Sequence, residues 1–487
     1  MNHLVSLATI FTFAALAPAS SAQGLLGFLP FEHTGDLYVT DSSTDSIKRL
    51  VDLNMDGDYN GLGEVTDYYS DAVGPVALGN NSGITVDIAG RLYVSDTTED
   101  SVFVMHDANG NGNCHDAGEM SVFFDGDPLV NLSGIDLVSP GDLTADLLGN
   151  IWVAEANNSG GGVDSIIKLT DLNGDGDAND LGEGVRYFIP NISGSTGDSI
   201  PNDVFVGQDG FLYYVEGGST GFIAKDVWRL DDANGDGVID PVTEVSSFFS
   251  PPAQAGTAFF WSLTQDGNGN FYTADTGNDL IWKFSDVDGN GVVDPVTEAT
   301  IWWDAAGAKS LIWDVTAASD GSIYAAESQS PDRILRFVDS DGSGVIDQPG
   351  ETIEVYSELV SATNIANPRG VIFEQAPNLT VGTPVAVGGT FSADTRATMG
   401  DVVTTWWSSG AMAPLPLAPF GNLELSLLPG DVFGILYTGV IGNMGSHSVS
   451  MTLPSDPALS GLSFYMQGFV GKPDRFQLTN LVVLSIL

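Results

Sequence analysis

The sequence predicts an all-β protein, a six-bladed β-propeller followed by a smaller β-sandwich, on three observations. A strand-like heptad recurs six times, an Asp-rich loop follows each copy in one register, and the strand missing from the first copy turns up after the sixth. Repetition at this period is the sequence signature of blades or stacked arrays.

The heptads are Gly35-Asp-Leu-Tyr-Val-Thr-Asp41, Gly90-Arg-Leu-Tyr-Val-Ser-Asp96, Gly149-Asn-Ile-Trp-Val-Ala-Glu155, Gly210-Phe-Leu-Tyr-Tyr-Val-Glu216, Gly269-Asn-Phe-Tyr-Thr-Ala-Asp275 and Gly321-Ser-Ile-Tyr-Ala-Ala-Glu327. Each opens on a turn glycine and is dense in β-branched and aromatic residues, the composition of a strand. A second strand follows each, as in Ser46–Leu50 or Leu280–Phe284, then the Asp-rich loop, then a third strand with paired aromatics such as Phe123-Phe124 or Trp302-Trp303. A short apolar strand precedes every heptad except the first. Four strands per unit, with the loop Asp recurring every 53 to 64 residues, fit propeller blades. The missing leading strand is read as Asn367-Pro-Arg-Gly-Val-Ile-Phe-Glu374, whose residues 369–374 would close the ring and remove a sheet edge. A solenoid is the alternative, but it needs no such exchange.

The 487 residues include 59 glycines, and only 16% are charged, which favours short strands and tight turns over helices. Acids outnumber bases 64 to 15, a formal charge of −49. That surface repels phosphate backbones, so nucleic acid is not an expected partner. Residues 1–22 read as a secretory signal, apolar from Leu4 to Ala17 and ending in Ser20-Ser21-Ala22, with a retained anchor as the alternative. No later segment is long enough to span a bilayer, and the expected location is secreted, extracellular or cell-surface. With Cys114 the only cysteine, no intrachain disulfide can staple the fold.

The loops between second and third strands carry the strongest chemical signal. Oxygen side chains recur at positions 1, 3, 5 and 9, with glycine at 6 and glutamate at 13. The first copy offers Asp52, Asn54, Asp56, Asp58, Asn60 and Glu64, and the third Asp171, Asn173, Asp175, Asp177, Asn179 and Glu183. The fourth offers Asp232, Asn234, Asp236, Asp240 and Glu244, the fifth Asp286, Asp288, Asn290, Asp294 and Glu298, and the sixth Asp339, Asp341, Ser343, Asp347 and Glu351. Such a set wraps a hard cation that takes six to eight oxygens, so calcium is the expected cofactor, at five strong loops and one weak. The weak copy is the second, with Asp107, Asn109, Asn111 and Glu119 but His115 at position 9. The pattern resembles the calcium loop of EF-hands, except that the closing acid stands at 13 rather than 12 and the flanks are strands. In that respect it looks more like the hairpin calcium loops of integrin-type propellers. Whether the position-13 glutamates bind directly, through water, or cap the next strand stays open here.

The heptads and their following strands resemble NHL-type repeats and, through them, the six-bladed group that includes gluconolactonase-like hydrolases and streptogramin lyases. The resemblance covers about residues 35–375 and implies the architecture rather than an activity. The acid ending each heptad repeats in all six units, so it reads as a hydrogen-bonding device and not as a catalytic ring. Residues that break the repeat are better candidates. Asn202, Asp203, Trp261, Trp313, Asp314 and Arg369 enter the innermost strands and differ in every unit. They are candidates for binding a polysaccharide, glycan or other polar ligand at the channel mouth, against the alternative of plain channel filling. Gly217-Gly-Ser-Thr-Gly221 matches an esterase string but has no following helix. Five Asn-x-Ser/Thr sequons occur, at Asn80, Asn131, Asn157, Asn191 and Asn378.

From 376 onward the Asp-rich loops stop, and alternating segments such as Leu423–Leu427 and Ser463–Gln467 predict the β-sandwich over 376–487. Its last ten residues hold seven apolar ones, a strand to be buried in its own domain or paired with a neighbour in self-assembly. The functional expectation is a calcium-binding extracellular scaffold of surface, matrix or filament. The alternative is a hydrolase or lyase acting at the channel mouth.

Overall fold

The computed structural model describes residues 36–487 apart from 55, 88, 147, 157–162, 191–198, 218–225, 253–257, 319, 375–377, 382–384, 398–400, 410, 417–421, 426–432, 442–445, 454, 456, 472–475 and 480. The esterase-like string at 217–221 and the sequons at Asn157 and Asn191 fall wholly or largely outside the described residues. So does the signal segment 1–22.

The chain forms repeated four-stranded antiparallel sheets, six among the described residues. Counted from the inner strand outward, sheet 1 is Pro368–Phe373, Leu37–Asp41, Ser46–Leu50 and Val65–Ser70. Sheet 2 is Asn81–Val86, Leu92–Asp96, Ser101–Met105 and Met120–Asp125, and sheet 3 is Pro140–Ala145, Ile151–Glu155, Ser165–Leu169 and Gly184–Phe188. Sheet 4 is Pro201–Val206, Leu212–Glu216, Val227–Leu230 and Val245–Phe249. Sheet 5 is Phe260–Gln265, Phe271–Asp275, Leu280–Phe284 and Ala299–Asp304, and sheet 6 is Ile312–Ala317, Ile323–Glu327, Arg333–Phe337 and Thr352–Ser357. The second strand of every sheet is buried at all five positions, which explains why the heptads are so evenly apolar.

Neighbouring inner strands touch in a closed cycle. Thr40 Oγ1 donates to Ser82 O at 3.0 Å, joining sheets 1 and 2, and Ser82 Oγ donates to Pro140 O at 3.0 Å, joining 2 and 3. Sheet 3 meets sheet 4 where Gly141 lies so close to Asn202 O that an added Cβ would come within 2.5 Å. Asn202 Nδ2 donates to Phe260 O (2.6 Å), Ala317 N to Thr264 Oγ1 (3.2 Å), and Val371 N to Asp314 Oδ2 (2.7 Å), which completes the circuit. This is the arrangement of a β-propeller, with inner strands around an axis and apolar side chains of adjacent sheets packed between them. Sheet 1 takes its inner strand from the far end of the chain, Leu37 pairing with Phe373 and Val39 with Val371.

Beyond the ring, a three-stranded sheet (Asn378–Val381, Thr390–Arg396, Ser446–Thr452) and a five-stranded one share a core. The five-stranded sheet runs Phe433–Val440, Val402–Ser408, Ser463–Gly471, with Phe476–Leu478 and Val482–Ser485 both paired to the last of these. Phe391, Val449 and Met451 of the first sheet meet Val403, Trp407, Met466 and Leu484 of the second. The terminal strand thus pairs within this sheet, with Val482, Leu484 and Ile486 turned into the shared core. Buried Gln467 donates Nε2 to Thr479 O at 2.8 Å, and Gly468 N donates to Thr479 Oγ1 at 2.7 Å. Gln467 and Thr479 therefore fasten Ser463–Gly471 to the segment that follows Phe476–Leu478.

Candidate functional site

The six Asp-rich loops share one backbone scaffold at positions 1 to 7. The position-1 aspartate accepts the N–H of the position-6 glycine in every copy, from Gly57, Gly112, Gly176, Gly237, Gly291 and Gly344, at 2.7–3.1 Å. Those glycines have φ between 85° and 101°, a conformation that costs an L-residue steric strain, so glycine is required at the bend. Position 3 accepts the N–H of position 5 in all six, and position 5 that of position 7. The side chains at positions 3 and 5 thus each accept one N–H of their own loop, whereas the position-1 aspartate accepts as many as three, as Asp107 and Asp232 do.

The glutamate at position 13 latches the two ends of the loop together. Glu64 accepts N–H groups from Leu53 and Asn54 on one oxygen and from Gly61 on the other, at 2.6–3.1 Å. Glu183, Glu298 and Glu351 repeat the arrangement. N–H groups from Gln348, Asp347 and Ser340 hold the Glu351 carboxyl down at about 2. Capping is thus a role these glutamates fill with their own backbone.

In three loops the carboxylates converge until one oxygen of each lies within 4.8 Å of the others: Asp56, Asp58 and Glu64; Asp286, Asp288 and Glu298; Asp339, Asp341 and Glu351. All the donors are hard oxygens and no base belongs to any of the three groups, so the chemistry fits a hard divalent cation. The second loop differs. Asn109 Nδ2 and Asn111 Nδ2 both donate to Asp116 Oδ2, at 2.7 and 3.0 Å. The third loop shares the first of these bonds, Asn173 Nδ2 to Asp180 Oδ2 at 2.7 Å, but has Asp175 and Asp177 at positions 5 and 7, where the second has Asn111 and Asn113.

Position 8 was not singled out in the sequence, although it is apolar or small in every copy. Tyr59, Cys114, Ala178, Ile239 and Val293 are buried, and Ile346 is nearly so. Each donates its N–H to the outer strand of the preceding sheet: Tyr59 to Val355 O, Cys114 to Tyr68 O, Ala178 to Phe123 O, Ile239 to Tyr187 O, Val293 to Phe248 O and Ile346 to Trp302 O, all at 2.7–2.8 Å. Each loop is therefore a bolt driven into its neighbour. At position 9, Asn60 and Asn179 extend the bolt, their Oδ1 atoms accepting Ser357 N (3.0 Å) and Asp125 N (2.9 Å). Two residues proposed as ligands are thereby engaged between sheets.

The acids ending the heptads are buried and tie the adjoining turn to the segment that enters the inner strand. Asp41 accepts from Ser43 N, Thr44 Oγ1 and Ala366 N, and Asp96 from Thr98 N and Gly79 N. The bases of the third strands are held in two ways: Arg49 pairs with Asp36 and Arg336 with Asp320, while Lys168 and Lys283 lie over the rings of Trp152 and Tyr272. Asn131 is 2% exposed and its Nδ2 donates to three carbonyls, so that sequon is closed to modification in the folded protein.

At the channel, the inner strands slip register against their partners at the same place in all six sheets. Such bulges re-aim side chains. Here they turn Asp142 toward the preceding sheet, where it accepts Ile84 N (3.3 Å), and Asp203 and Asp314 toward the following ones, where they accept Leu263 N (2.5 Å) and Val371 N (2.7 Å). Burial lifts the Asp142 carboxyl to about 7. Burial together with the charges of Asp142 and Asp314 lifts Asp203 well above the usual range, and burial together with Asp142 lifts Asp314. Asp142 was missed in the sequence reading, yet Gly141-Asp142-Leu143 aligns with Asn202-Asp203-Val204 and could have revealed it. Trp261 and Trp313 meet edge to face, centroids 4.3 Å apart, and the Arg369 guanidinium lies 3.6 Å over Trp313.

No protein-family model and no curated protein matches the chain. Among solved structures, it is similar to virginiamycin B lyase from Staphylococcus aureus, with 14% identity, 71% of this chain and 90% of that one covered, and a TM-score of 0.43. It is also similar to a gluconolactonase from Xanthomonas campestris (15% identity, 68% and 87% covered, TM-score 0.39). A third similar structure is regucalcin, a calcium-binding protein from Agrobacterium tumefaciens (17%, 56% and 75%, TM-score 0.35). Likenesses of this degree say nothing of activity or ligand. No helix among the described residues is long and apolar enough to cross a membrane.

Proposed function

We propose that the chain is a secreted, calcium-binding propeller of six blades over 23–375, carrying a β-sandwich over 376–487, and that it serves outside the cell as a structural or binding scaffold. The observation that carries this reading is the double duty of the loops. The same segment gathers acid oxygens and drives its position-8 residue into the neighbouring sheet. A cation that neutralises the loop therefore stiffens the joint between blades, which suits a chain with no disulfide. Five loops bind well and the second, filled by asparagine amides, binds weakly or not at all.

Hydrolase or lyase chemistry at the channel is the competing reading, since raised carboxyls mark functional sites as well as structural ones. The geometry favours the scaffold. Asp142, Asp203 and Asp314 are committed to backbone N–H groups across the joints, and both oxygens of Asp314 are used, by Val315 N and Val371 N. Melting in calcium and in excess chelator tests the proposal: a large drop is expected, and coincident curves contradict it.

A further inference from the structure

The second residue of each inner strand forms a ring at the channel mouth: Arg369, Ser82, Gly141, Asn202, Trp261 and Trp313. One half is small or neutral, and the other is an arc of two tryptophans and one guanidinium. Phe259 extends the aromatic side, 5.2 Å from Trp261. The indole of Trp313 is fixed by its Nε1 hydrogen bond to Ser328 Oγ.

Arg369 is the anomaly in this ring. Acids outnumber bases more than four to one, and Arg49, Arg91, Arg229, Arg333 and Arg336 each have a carboxylate partner. Among the described residues Arg369 has none, and its Nε is buried without a hydrogen-bond acceptor. Burial lowers its pKa with no carboxylate nearby to offset the effect. An unpaired, partly desolvated guanidinium is costly unless something pairs with it. Its planar fork matches a carboxylate in bidentate fashion, and stacking on Trp313 sets the plane in advance. The acids one step deeper do not forbid an anion, because they are occupied by backbone N–H groups.

We infer that Arg369 is the anion-recognising residue of the channel mouth, and that the ligand carries a carboxylate beside a ring whose apolar face packs on Trp261. The ring belongs to a sugar acid or an aromatic acid, two sources with the same recognition chemistry. This inference does not depend on the calcium reading. It is tested on the calcium-saturated full chain by calorimetric titration with glucuronate and benzoate, each against its uncharged counterpart, glucose and benzyl alcohol. At least one acid should bind about tenfold or more tightly than its neutral partner, and weaken as salt rises. Arg369→Gln should erase that preference, and Arg369→Lys, which keeps the charge but loses the fork, should bind the acid several-fold more weakly. If neither acid binds to the folded protein, or if the preference survives in Arg369→Gln, the inference is wrong. Should Arg369→Gln fail to fold, the Arg369→Lys titration decides: undiminished acid binding overturns it.

Discussion

Replacing Asp286 by alanine separates what the loop does by itself from what a bound cation adds. Asp286 accepts Asn290 N through Oδ1 at 3.0 Å and Gly291 N through Oδ2 at 2.8 Å. The side chain is partly exposed and screened by solvent, so the two bonds contribute about 2 kcal/mol together, about 1 kcal/mol each as for ordinary hydrogen bonds. Calcium at a hundred times its dissociation constant adds about 2.7 kcal/mol per site by linkage. The variant should therefore lose about 5 kcal/mol in calcium and about 2 kcal/mol in chelator. At about 2 °C per kcal/mol for a domain of this size, that is a melting shift of about 10 °C against about 4 °C. Differential scanning calorimetry of both proteins in both buffers gives the four numbers. Equal shifts in the two buffers would refute the claim that this loop holds a metal.

The position-8 bolt predicts that Ile239→Ala loses about 3 kcal/mol, because a buried side chain leaves a cavity between sheets 3 and 4. Its exposed neighbour Val238→Ala should lose under about 0.5 kcal/mol, and equal losses in urea melts would count against the bolt. The channel predicts an inverted pH response. Burial raises Asp142 to about 7, so the folded state holds the proton more tightly, and stability present below about pH 4 is lost as pH rises through 7. Asp142→Asn should melt with the parent at pH 4 and above it at pH 8, in saturating calcium, and a variant that melts lower at pH 8 would show the charge is needed. Filament or matrix assembly predicts that the mass of the intact protein by light scattering grows with concentration in calcium. A constant monomer mass makes the chain a solitary binding module.

The strands were legible because each level of the sequence agreed with the next. Ser46–Leu50 and Ser165–Leu169 each end two residues before a loop aspartate, and their apolar runs match strands buried on both faces. The closing strand was legible through its absence from the first unit. The loop oxygens were legible by type and spacing, but the destination of each was not. Asn60 and Asp58 look alike in sequence, and only the fold places Asn60 Oδ1 against Ser357, 297 residues away. The bolt escaped notice because an isolated isoleucine or alanine in a polar loop has no local partner to announce it. Asp142 escaped because the bulge that aims it into the channel depends on pairing, not on composition. Arg369 was marked as a departure from the repeat, yet its want of a carboxylate is a property of the assembled ring.

A calcium-stiffened propeller requires a cation in each well-formed loop, and counting the bound ions tests this most directly. Protein stripped with chelator and dialysed against dilute calcium should be titrated in a calorimeter and weighed intact by native mass spectrometry. Five calcium ions per chain are expected, falling to four in Asp286→Ala, with magnesium unable to displace them at equal concentration. A chain that takes up none, or one alone, would contradict the account.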